Sequence, residues 1–367
     1  MTSKLLLPLV TLLLLSSASV AMTIGSSDSN ASDQFTITDG TGKTFQYSGL
    51  TEHIITMGYA STLTVVELGM MEKIIGIDKY STYESSGNDK LKDIDKYATN
   101  LGSLYYSSNN DYIVSTLVQW VESEKMSLDD TIILTAYSNA LVLRDSLNEK
   151  GFTHVLVYLS IVDYENIVDF VRSMSLITTG KESGLVSDMK ATLDTIVTGL
   201  KDVTEKSKGL YVRYYSSNFT VGNTGSIAVS LITSAGGINL GYNESISSSA
   251  YGDASTVVGI LKDNKDAIVF LDGTYLKTHA VSDFRNEVLG GDTGITIVPM
   301  ESIWNNYCPD AMYGLWTFAC ALYPDIFSGD VPSGDDDSNG GNALMYAGVA
   351  IAVIIVIGII GFAVMKR

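Results

Sequence analysis

Hydrophobic and polar positions alternate along this chain in two different rhythms. Short β-branched runs bounded by polar turns predict strands, and apolar residues three or four positions apart predict helices. The two kinds of segment alternate over residues 53–174 and again over 209–323, after a hairpin pattern at 35–47 that turns at Asp39-Gly40. This alternation predicts parallel sheets covered by helices on both faces, with the second half repeating the first.

A longer helical pattern separates the two halves. Residues 183–206 carry apolar positions at three- and four-residue spacing, with no Pro and with no Gly between Gly184 and Gly199. The predicted fold is therefore α/β, with two lobes joined by one long helix and a cleft between them. The N-terminal lobe would cover residues 34–182, the connecting helix 183–206 and the C-terminal lobe 207–327. A stiff helical connection predicts that the lobes close by only a small angle.

The first residues have the pattern of an export signal. Lys4 precedes an apolar stretch, and small residues at Ser19 and Ala21 provide a cleavage site. We predict a signal peptide over residues 1–21, with an uncleaved anchor helix as the alternative. Residues 22–33 are of low complexity and read as a linker.

The C-terminal end has the pattern of a membrane anchor. Residues 343–365 contain no charged side chain and would span ~34 Å as a helix, enough to cross a bilayer with some tilt. Lys366 and Arg367 follow and predict a cytoplasmic tail. A removable lipid-anchor signal is the alternative. Residues 328–342 are rich in Gly, Ser and Asp and predict a flexible tether.

This arrangement predicts an extracellular folded domain held at the cell membrane by a single C-terminal span. No Cys lies near the predicted cleavage site to carry an N-terminal lipid, so the C-terminal helix would be the anchor instead. Anchoring by a C-terminal helix is commoner in archaea. Cys308 and Cys320 are separated by a predicted helix of ~18 Å, too far apart for a disulfide.

Charge and motif content narrow the function. A net charge of −18 argues against nucleic-acid binding, because phosphate recognition requires basic patches. The chain has only three His, and it contains no nucleophile elbow, no zinc-protease motif and no phosphate loop. We therefore predict no catalytic residue, no metal ligand, no bound cofactor and no enzymatic activity.

Tyrosine is the distinctive residue, with 21 in the chain, many of them just after predicted strands. Ligands of open α/β sheets bind outside the carboxyl ends of strands, where aromatic rings can pack on a planar ligand. Half-buried surface tyrosines are the alternative, and Arg213 could meet either a ligand carboxylate or an edge acid. The candidate ligand-binding residues are Tyr59, Ser61, Tyr80, Tyr105, Tyr106, Tyr137, Arg213, Tyr215 and Trp304.

Four segments, in order, carry a resemblance to a known family: HIITMGYASTLTVVELGMMEKIIGIDKYS, LGSLYYSSNNDYIVSTL, SIAVSLITSAGGINLG and LYPDIF. They resemble the substrate-binding proteins of iron-chelate and cobalamin ABC importers, the type with a helical backbone between two lobes. The resemblance covers residues 35–327. The segment SLDDTIIL departs from the family pattern because it lacks the usual Pro.

The resemblance implies capture of a metal chelate (a ferric siderophore, heme or a cobamide) and its delivery to a permease and ATPase. Members carry one acidic residue on each lobe that docks on permease arginines. Asp111 occupies that place in the first lobe, although a charge at a helix N-terminus is its alternative role. The matching place in the second lobe, near Val258, is not acidic, and Asp253 is a substitute. The competing functions are an extracellular interaction, adhesion or sensor module with the same fold, and an enzyme of unknown type.

Overall fold

The structure is a computed structural model that describes residues 34–334, except 136, 223 and 242–249. The predicted signal peptide, linker, membrane span and cytoplasmic tail, as well as residues 335–342 of the predicted tether, lie outside the described residues. Within the described part of the chain, none of the helices has the length and apolar character of a membrane span.

The first lobe is built on a parallel five-stranded sheet with the strand order β5-β4-β3-β6-β7, as the alternating pattern predicts. Its inner strands are buried along their whole length, because helices cover both faces. The strands of this half, including an N-terminal hairpin, are β1 (Phe35–Thr38), β2 (Thr44–Tyr47), β3 (Ile54–Met57), β4 (Ile74–Ile77), β5 (Thr99–Asn100), β6 (Thr131–Thr135) and β7 (His154–Tyr158). Its helices are α1 (Tyr59–Glu67), α2 (Tyr83–Ser86), α3 (Asn110–Glu122), α4 (Asn139–Glu149) and α5 (Tyr164–Thr179).

The predicted hairpin is confirmed, and its turn fastens it to the first sheet. Strands β1 and β2 pair antiparallel. One carboxylate oxygen of Asp39 closes the turn by accepting from the backbone N–H groups of Thr41 (2.9 Å) and Lys43 (3.1 Å). The other accepts from Val157 N–H in β7 at 3.0 Å. Asp39 is therefore the residue through which the hairpin is anchored.

The second lobe has a mixed sheet, so the prediction that it repeats the parallel pattern of the first is wrong. Its strand order is β11-β9-β8-β12-β13, with β10 paired to the start of β8, and β9 and β11 are antiparallel to their neighbours. The elements of this half are α6 (Gly184–Gly199), β8 (Lys208–Tyr215), β9 (Asn218–Gly222), α7 (Ile227–Ser234), β10 (Ile238–Asn239), β11 (Ala250–Tyr251), α8 (Ala254–Asp263), β12 (Ile268–Asp272), α9 (Gly273–Leu276), α10 (Val281–Glu287), β13 (Thr296–Met300) and α11 (Ala311–Leu322).

A tight reversal between β8 and β9 causes this difference. Tyr215 pairs directly with Asn218, so only Ser216 and Ser217 form the turn. Both have positive φ, 48° and 62°. Two-residue hairpin turns of this kind usually contain Asn and Gly, and the serine pair gives no such signal in the sequence.

The connecting helix α6 is shorter than predicted. It ends at Gly199 rather than at residue 206, and as a 16-residue helix it spans about 24 Å. Phe327 packs against its last residue so closely that a Cβ on Gly199 would lie 2.6 Å from the ring. The helix therefore ends where the chain after α11 packs against it.

The two lobes share one hydrophobic core. Its largest cluster contains Ile54 and Leu156 from the first sheet, Phe270 from the second, and buried residues of α5, α6, α7 and α11. In this core Phe318 of α11 stacks on Phe270 with ring centroids 3.8 Å apart. Separate clusters cover the opposite face of each sheet.

The start of the predicted tether packs on the fold, which differs from the prediction that the tether begins at residue 328. Gly329 C=O accepts a hydrogen bond from the Trp316 indole at 3.0 Å, and Val331 packs against the shared core. Asp188 of α6 accepts from Ser333 Oγ (3.1 Å) and from the backbone N–H of Gly334 (2.7 Å). Residues 328–334 thus form a strap across α11 and α6.

The β8–β9 turn offers a stability test. Replacing Ser216 with Asn and Ser217 with Gly should raise the free energy of unfolding by ~1 kcal/mol, because these residues adopt positive φ more readily. Urea denaturation of the double variant measures the change. Ser216→Val, which cannot adopt this turn without strain, should be destabilising. Equal stability of the wild type and both variants would contradict the assignment of a strained turn.

Candidate functional site

The carboxyl ends of the two sheets meet at one tyrosine. Tyr307, in the loop after β13, places its hydroxyl beside Thr135 at the end of β6. Its ring packs edge-on against Phe170 of α5, with centroids 5.4 Å apart. Desolvation raises the pKa of the Tyr307 phenol, so it is neutral at physiological pH. The strand ends of both lobes therefore border the same region, where ligands of α/β sheets bind.

Four predicted tyrosines lie together at this edge of the first sheet. Tyr105 packs edge-on against Tyr106 at 4.9 Å and against Tyr137 at 5.6 Å. Tyr80 lies beside them, because Lys79 contacts the rings of both Tyr80 and Tyr106. The side chains of Tyr80, Tyr105 and Tyr106 are 40%, 61% and 50% exposed. We call Tyr80, Tyr105, Tyr106 and Tyr137 the tyrosine platform.

Lys79 is the cation of this platform. Its Nζ lies 4.7 Å from the ring centroid of Tyr80 and 5.4 Å from that of Tyr106. No carboxylate among the described residues lies within salt-bridge distance of this ammonium group. The platform therefore presents aromatic faces together with a positive charge that no neighbouring acid pairs.

A buried polar chain supports the platform from below. Asp78 at the end of β4 accepts a hydrogen bond from Ser81 Oγ, and the backbone N–H groups of Tyr80 and Ser81 lie close to its carboxylate and favour its ionised form. Ser81 in turn accepts from Thr62 at 2.9 Å, whose hydroxyl lies 2.8 Å from that of Thr56. These bonds fix the turn that carries Lys79 and Tyr80. Burial raises the pKa of Asp78 from 3.8 to about 6.

The second lobe contributes a smaller pair at the end of β8. The guanidinium of Arg213 lies 5.1 Å from the ring centroid of Tyr215, which is 65% exposed. Arg213 has no salt bridge within the described part of the chain. The neighbouring Tyr214 instead packs into an aromatic group with Phe219 and Tyr275, at 5.1 Å and 5.0 Å. Arg213 and Tyr215 are thus the second-lobe candidates for ligand contact.

Three predicted ligand-binding residues lie apart from the platform. Ser61 is fully buried and donates to the Gly58 carbonyl at 2.7 Å. Trp304 is 2% exposed and packs over Gly314 in the shared core. The Tyr59 hydroxyl accepts from Asn88 Nδ2 at 2.8 Å, beside a charged cluster between the lobes. These three side chains thus take part in the packing and hydrogen bonding of the fold and are not part of the platform.

Within the described part of the chain, the charged cluster beside Tyr59 contains side chains of the kinds that bind metal ions. Glu67, Cys308 and Asp310 have ligand atoms within 4.8 Å of one another. The ammonium of Lys90 lies among them, bonded to both carboxylates. Because a lysine already lies between the acids and pairs with both, we interpret the group as an ion cluster. Both cysteines are free, Cys308 buried in this cluster and Cys320 half-buried in α11.

The two proposed docking acids have different environments. Asp111 is exposed in the first turn of α3. Asp253 caps α8, where its carboxylate accepts from Ser255 Oγ at 2.6 Å and from Thr256 N–H at 3.0 Å. These bonds lower the pKa of Asp253. Val258 on the same helix is exposed. Asp111 therefore has the freer carboxylate of the two.

The candidate ligand-binding residues predicted from the sequence do not include Lys79, Asp78 or Tyr307. Asp78 ends a predicted strand and Lys79 follows it, which is the same signal that favours Tyr80. Tyr307 lies in the loop after the last strand, beside the candidate Trp304. Restricting the signal mainly to aromatic residues leaves out the charged ones, and a role of any of these residues in ligand binding stays a prediction.

Asp78 generates a prediction on pH dependence. Its raised pKa means that between pH 3.8 and about 6 the folded state binds more protons than the unfolded state. This carboxyl therefore lowers the free energy of unfolding as pH rises across that window. Asp78→Asn, which cannot ionise but retains an acceptor oxygen, should reduce the decline.

Urea denaturation at intervals from pH 4 to 7 measures this effect. Asp93→Asn is the matched control, because the exposed Asp93 pairs with Lys96 and has a lowered pKa. The contribution of Asp93 to the free energy of unfolding should therefore change with pH only below pH 3.8. The prediction fails if Asp78→Asn has the same pH profile as the wild type.

Comparison with known proteins identifies the fold. No family model matches the chain, and no curated protein matches its sequence. The crystal structure of Helicobacter pylori CeuE with Ni(II) bound is similar, with a TM-score of 0.53, 16% identity, and coverage of 80% of this chain and 90% of that one. The Vibrio cholerae vitamin B12 binding protein BtuF gives a TM-score of 0.54, 14% identity, and coverage of 74% and 97%.

The periplasmic heme-binding protein HutB of Vibrio cholerae gives a TM-score of 0.52, 15% identity, and coverage of 74% of this chain and 99% of that one. Each of these proteins is matched over nearly its whole length, so the similarity extends over both lobes. The predicted resemblance is confirmed at the level of the fold: the chain has the two-lobed α/β fold of periplasmic heme-, vitamin B12- and iron-binding proteins.

Proposed function

We propose that this protein is an extracellular, membrane-tethered solute-binding protein that captures an anionic metal chelate and delivers it to an ABC importer. The observation that carries the proposal is the tyrosine platform around Lys79, at the strand ends where the two lobes meet. The protein would act as a carrier without catalysing a reaction.

The chemistry of the platform favours a planar, negatively charged ligand. Exposed phenol rings offer apolar faces together with hydroxyl groups that hydrogen-bond. Lys79 and, on the second lobe, Arg213 are positive groups without an acidic partner within the described residues, in a chain with a net charge of −18. A chelate with carboxylate or phenolate oxygens would satisfy both charges. Heme is planar and has carboxylates, anionic ferric siderophores share the negative charge and the exposed oxygens, and a cobamide has less of this character.

The fold supports a carrier rather than an adhesion module. Similar structures are described as binding vitamin B12 and heme. The same two lobes and strand ends are present here, and the exposed rings lie at those ends. Transfer of the ligand class to this chain is part of the proposal, because sequence identities of 14–16% establish only a common fold.

Tethering and delivery complete the proposal. Export would use residues 1–21, and residues 343–365 would span the membrane. Because the strap binds residues 328–334 to the domain, residues 335–342 alone would bridge to the span, at most about 28 Å when extended. The domain would therefore stay near its permease, with Asp111 available to pair with a permease arginine.

Lys79 provides the first test of ligand binding. Lys79→Met removes the charge but keeps most of the aliphatic chain, and it should weaken binding of heme or of an anionic ferric siderophore about 10- to 100-fold. Titration of the purified protein, followed by absorbance or tryptophan fluorescence, measures the affinity. Cyanocobalamin, which lacks carboxylates, should be much less affected if it binds.

Lys96→Met is the matched control, because Lys96 is an exposed lysine of the same lobe that pairs with Asp93 at 2.8 Å. It should leave every affinity unchanged. Equal affinities in Lys79→Met and the wild type would remove Lys79 from the site. Absence of binding to the whole panel of chelates and corrinoids would count against the proposed function itself.

Asp111 provides a test of docking. Asp111→Asn removes the negative charge while changing the side-chain volume little, so thermal stability and chelate affinity should stay as in the wild type. Transport or permease binding should fall, and more so at low salt, where exposed charges act over longer distances. Uptake in cells that express the cognate permease, or binding to the permease in nanodiscs, measures this effect.

Asp253→Asn should retain the cap of α8, since Asn is as good a cap as Asp. If transport is unchanged in both single variants and in the double variant, these residues do not guide docking. The protein would then contact a permease through other groups or serve none.

A further inference from the structure

A buried ion cluster links the two lobes and shares no residue with the tyrosine platform. Lys90 of the first lobe places its Nζ 2.8 Å from both carboxylate oxygens of Asp310, the residue before α11. The same nitrogen lies 3.0 Å from Glu67 Oε1, at the end of α1. The Asp310 side chain is 1% exposed and that of Glu67 11%. Two carboxylates and one ammonium group are therefore held together largely out of water.

The charges of this cluster do not balance unless a proton is bound. If both acids were ionised, a net negative charge would be buried, which is strongly unfavourable. The carboxylate oxygens of Glu67 and Asp310 lie within 4.8 Å of each other, so two ionised acids would repel across this distance. A proton on Glu67 removes that repulsion.

Among the described residues, the other titratable groups that face the cluster are Tyr59 and Cys308. Burial raises the pKa of both, so each is neutral at physiological pH. Neither brings a positive charge that could replace the proton. Burial, together with the nearby Asp310, raises the pKa of Glu67 to about 8.

We propose that Glu67, Lys90 and Asp310 form a proton-controlled clamp between the lobes, strong while Glu67 carries a proton and weak once that proton is lost. With the proton bound, Lys90 neutralises the one remaining negative charge. Without it, two ionised carboxylates repel each other around a single ammonium group. The clamp would hold the loop that carries Tyr307 and Cys308 against the first lobe, and it would do so whether or not the platform binds a chelate.

The pH window follows from proton linkage. A separated Glu67 would titrate near its ordinary value of 4.5, whereas in the clamp it titrates near 8. Between these values, opening the clamp releases one proton, so the equilibrium constant for opening should rise up to tenfold per pH unit. Above about pH 8 both states are deprotonated, and the constant should level off.

Hydrogen exchange on the full-length protein, corrected for the intrinsic pH dependence of amide exchange, tests the clamp from pH 5.5 to 8.5. The amides to follow are those at the end of α1 and the start of α11, with the centres of β6 and β12 as references within each lobe. In the wild type, protection beside the clamp should fall as pH rises and level off near pH 8. Glu67→Gln and Asp310→Asn, which carry no titratable proton, should remove most of this slope.

Lys90→Met should lower the protection at every pH, because the remaining acid pair loses its positive partner. Glu182→Gln is the matched control. Glu182 pairs with Arg172 at 3.0 Å and Lys190 at 2.6 Å in a partly exposed cluster, so its loss should leave the wild-type slope intact.

Three outcomes would overturn the proposal: protection in the wild type that is independent of pH, a wild-type slope retained in both Glu67→Gln and Asp310→Asn, or unchanged protection in a folded Lys90→Met variant. If Lys90→Met does not fold, the two neutral variants alone decide, because they leave the lysine in place. None of these hydrogen-exchange measurements requires a bound chelate, so their result is independent of the proposed function.

Discussion

The burial of helix α11 in a core shared by both lobes is the constraint on which the rest of the structure depends. Nine of its twelve residues are buried. The helix packs on α6 and α7, and Phe318 stacks on a ring from the centre of the second sheet. This packing fixes the loop before α11 against the first lobe, so Tyr307 reaches Thr135 and Asp310 reaches Lys90. The meeting of the two sheet edges is thus a consequence of core packing.

A shared core also limits how the lobes can move. Opening them widely would separate Phe170 from Tyr307 and expose apolar surface beside α6, which is opposed by the hydrophobic effect. The strap adds a further connection, because it joins Trp316 of α11 to Asp188 of α6. A small closure angle therefore follows from packing around α6 as well as from its stiffness, and it stays a prediction for scattering to measure.

Local pattern predicted those parts of the fold that depend on local sequence. The hairpin and the first sheet follow from the alternation of apolar residues and from turn residues such as Asp39-Gly40. The β8–β9 reversal was missed because Ser216 and Ser217 resemble ordinary polar loop residues, and the strap was missed because Val331 and Trp316 meet only in the tertiary structure. In the site, position after a strand predicts one sheet edge for Tyr80, Tyr105, Tyr106 and Tyr137, and their rings do lie together there, whereas their contact with a ligand stays a prediction. It could not show that Ser61 and Trp304 are buried, because depth depends on neighbouring elements.

Two lysines of the first lobe illustrate why structural context decides their roles. Lys90 has two buried carboxylates within 3.0 Å, so its charge is satisfied by the fold itself. Lys79, eleven positions earlier in the sequence, has two tyrosine rings and no acid within salt-bridge distance among the described residues. Aromatic faces attract an ammonium group but leave its charge uncompensated, and the chain has few cations to place on its surface. The first arrangement stabilises the contact between the lobes, and the second leaves a positive charge that no described acid pairs, which is the reason for proposing an anionic ligand.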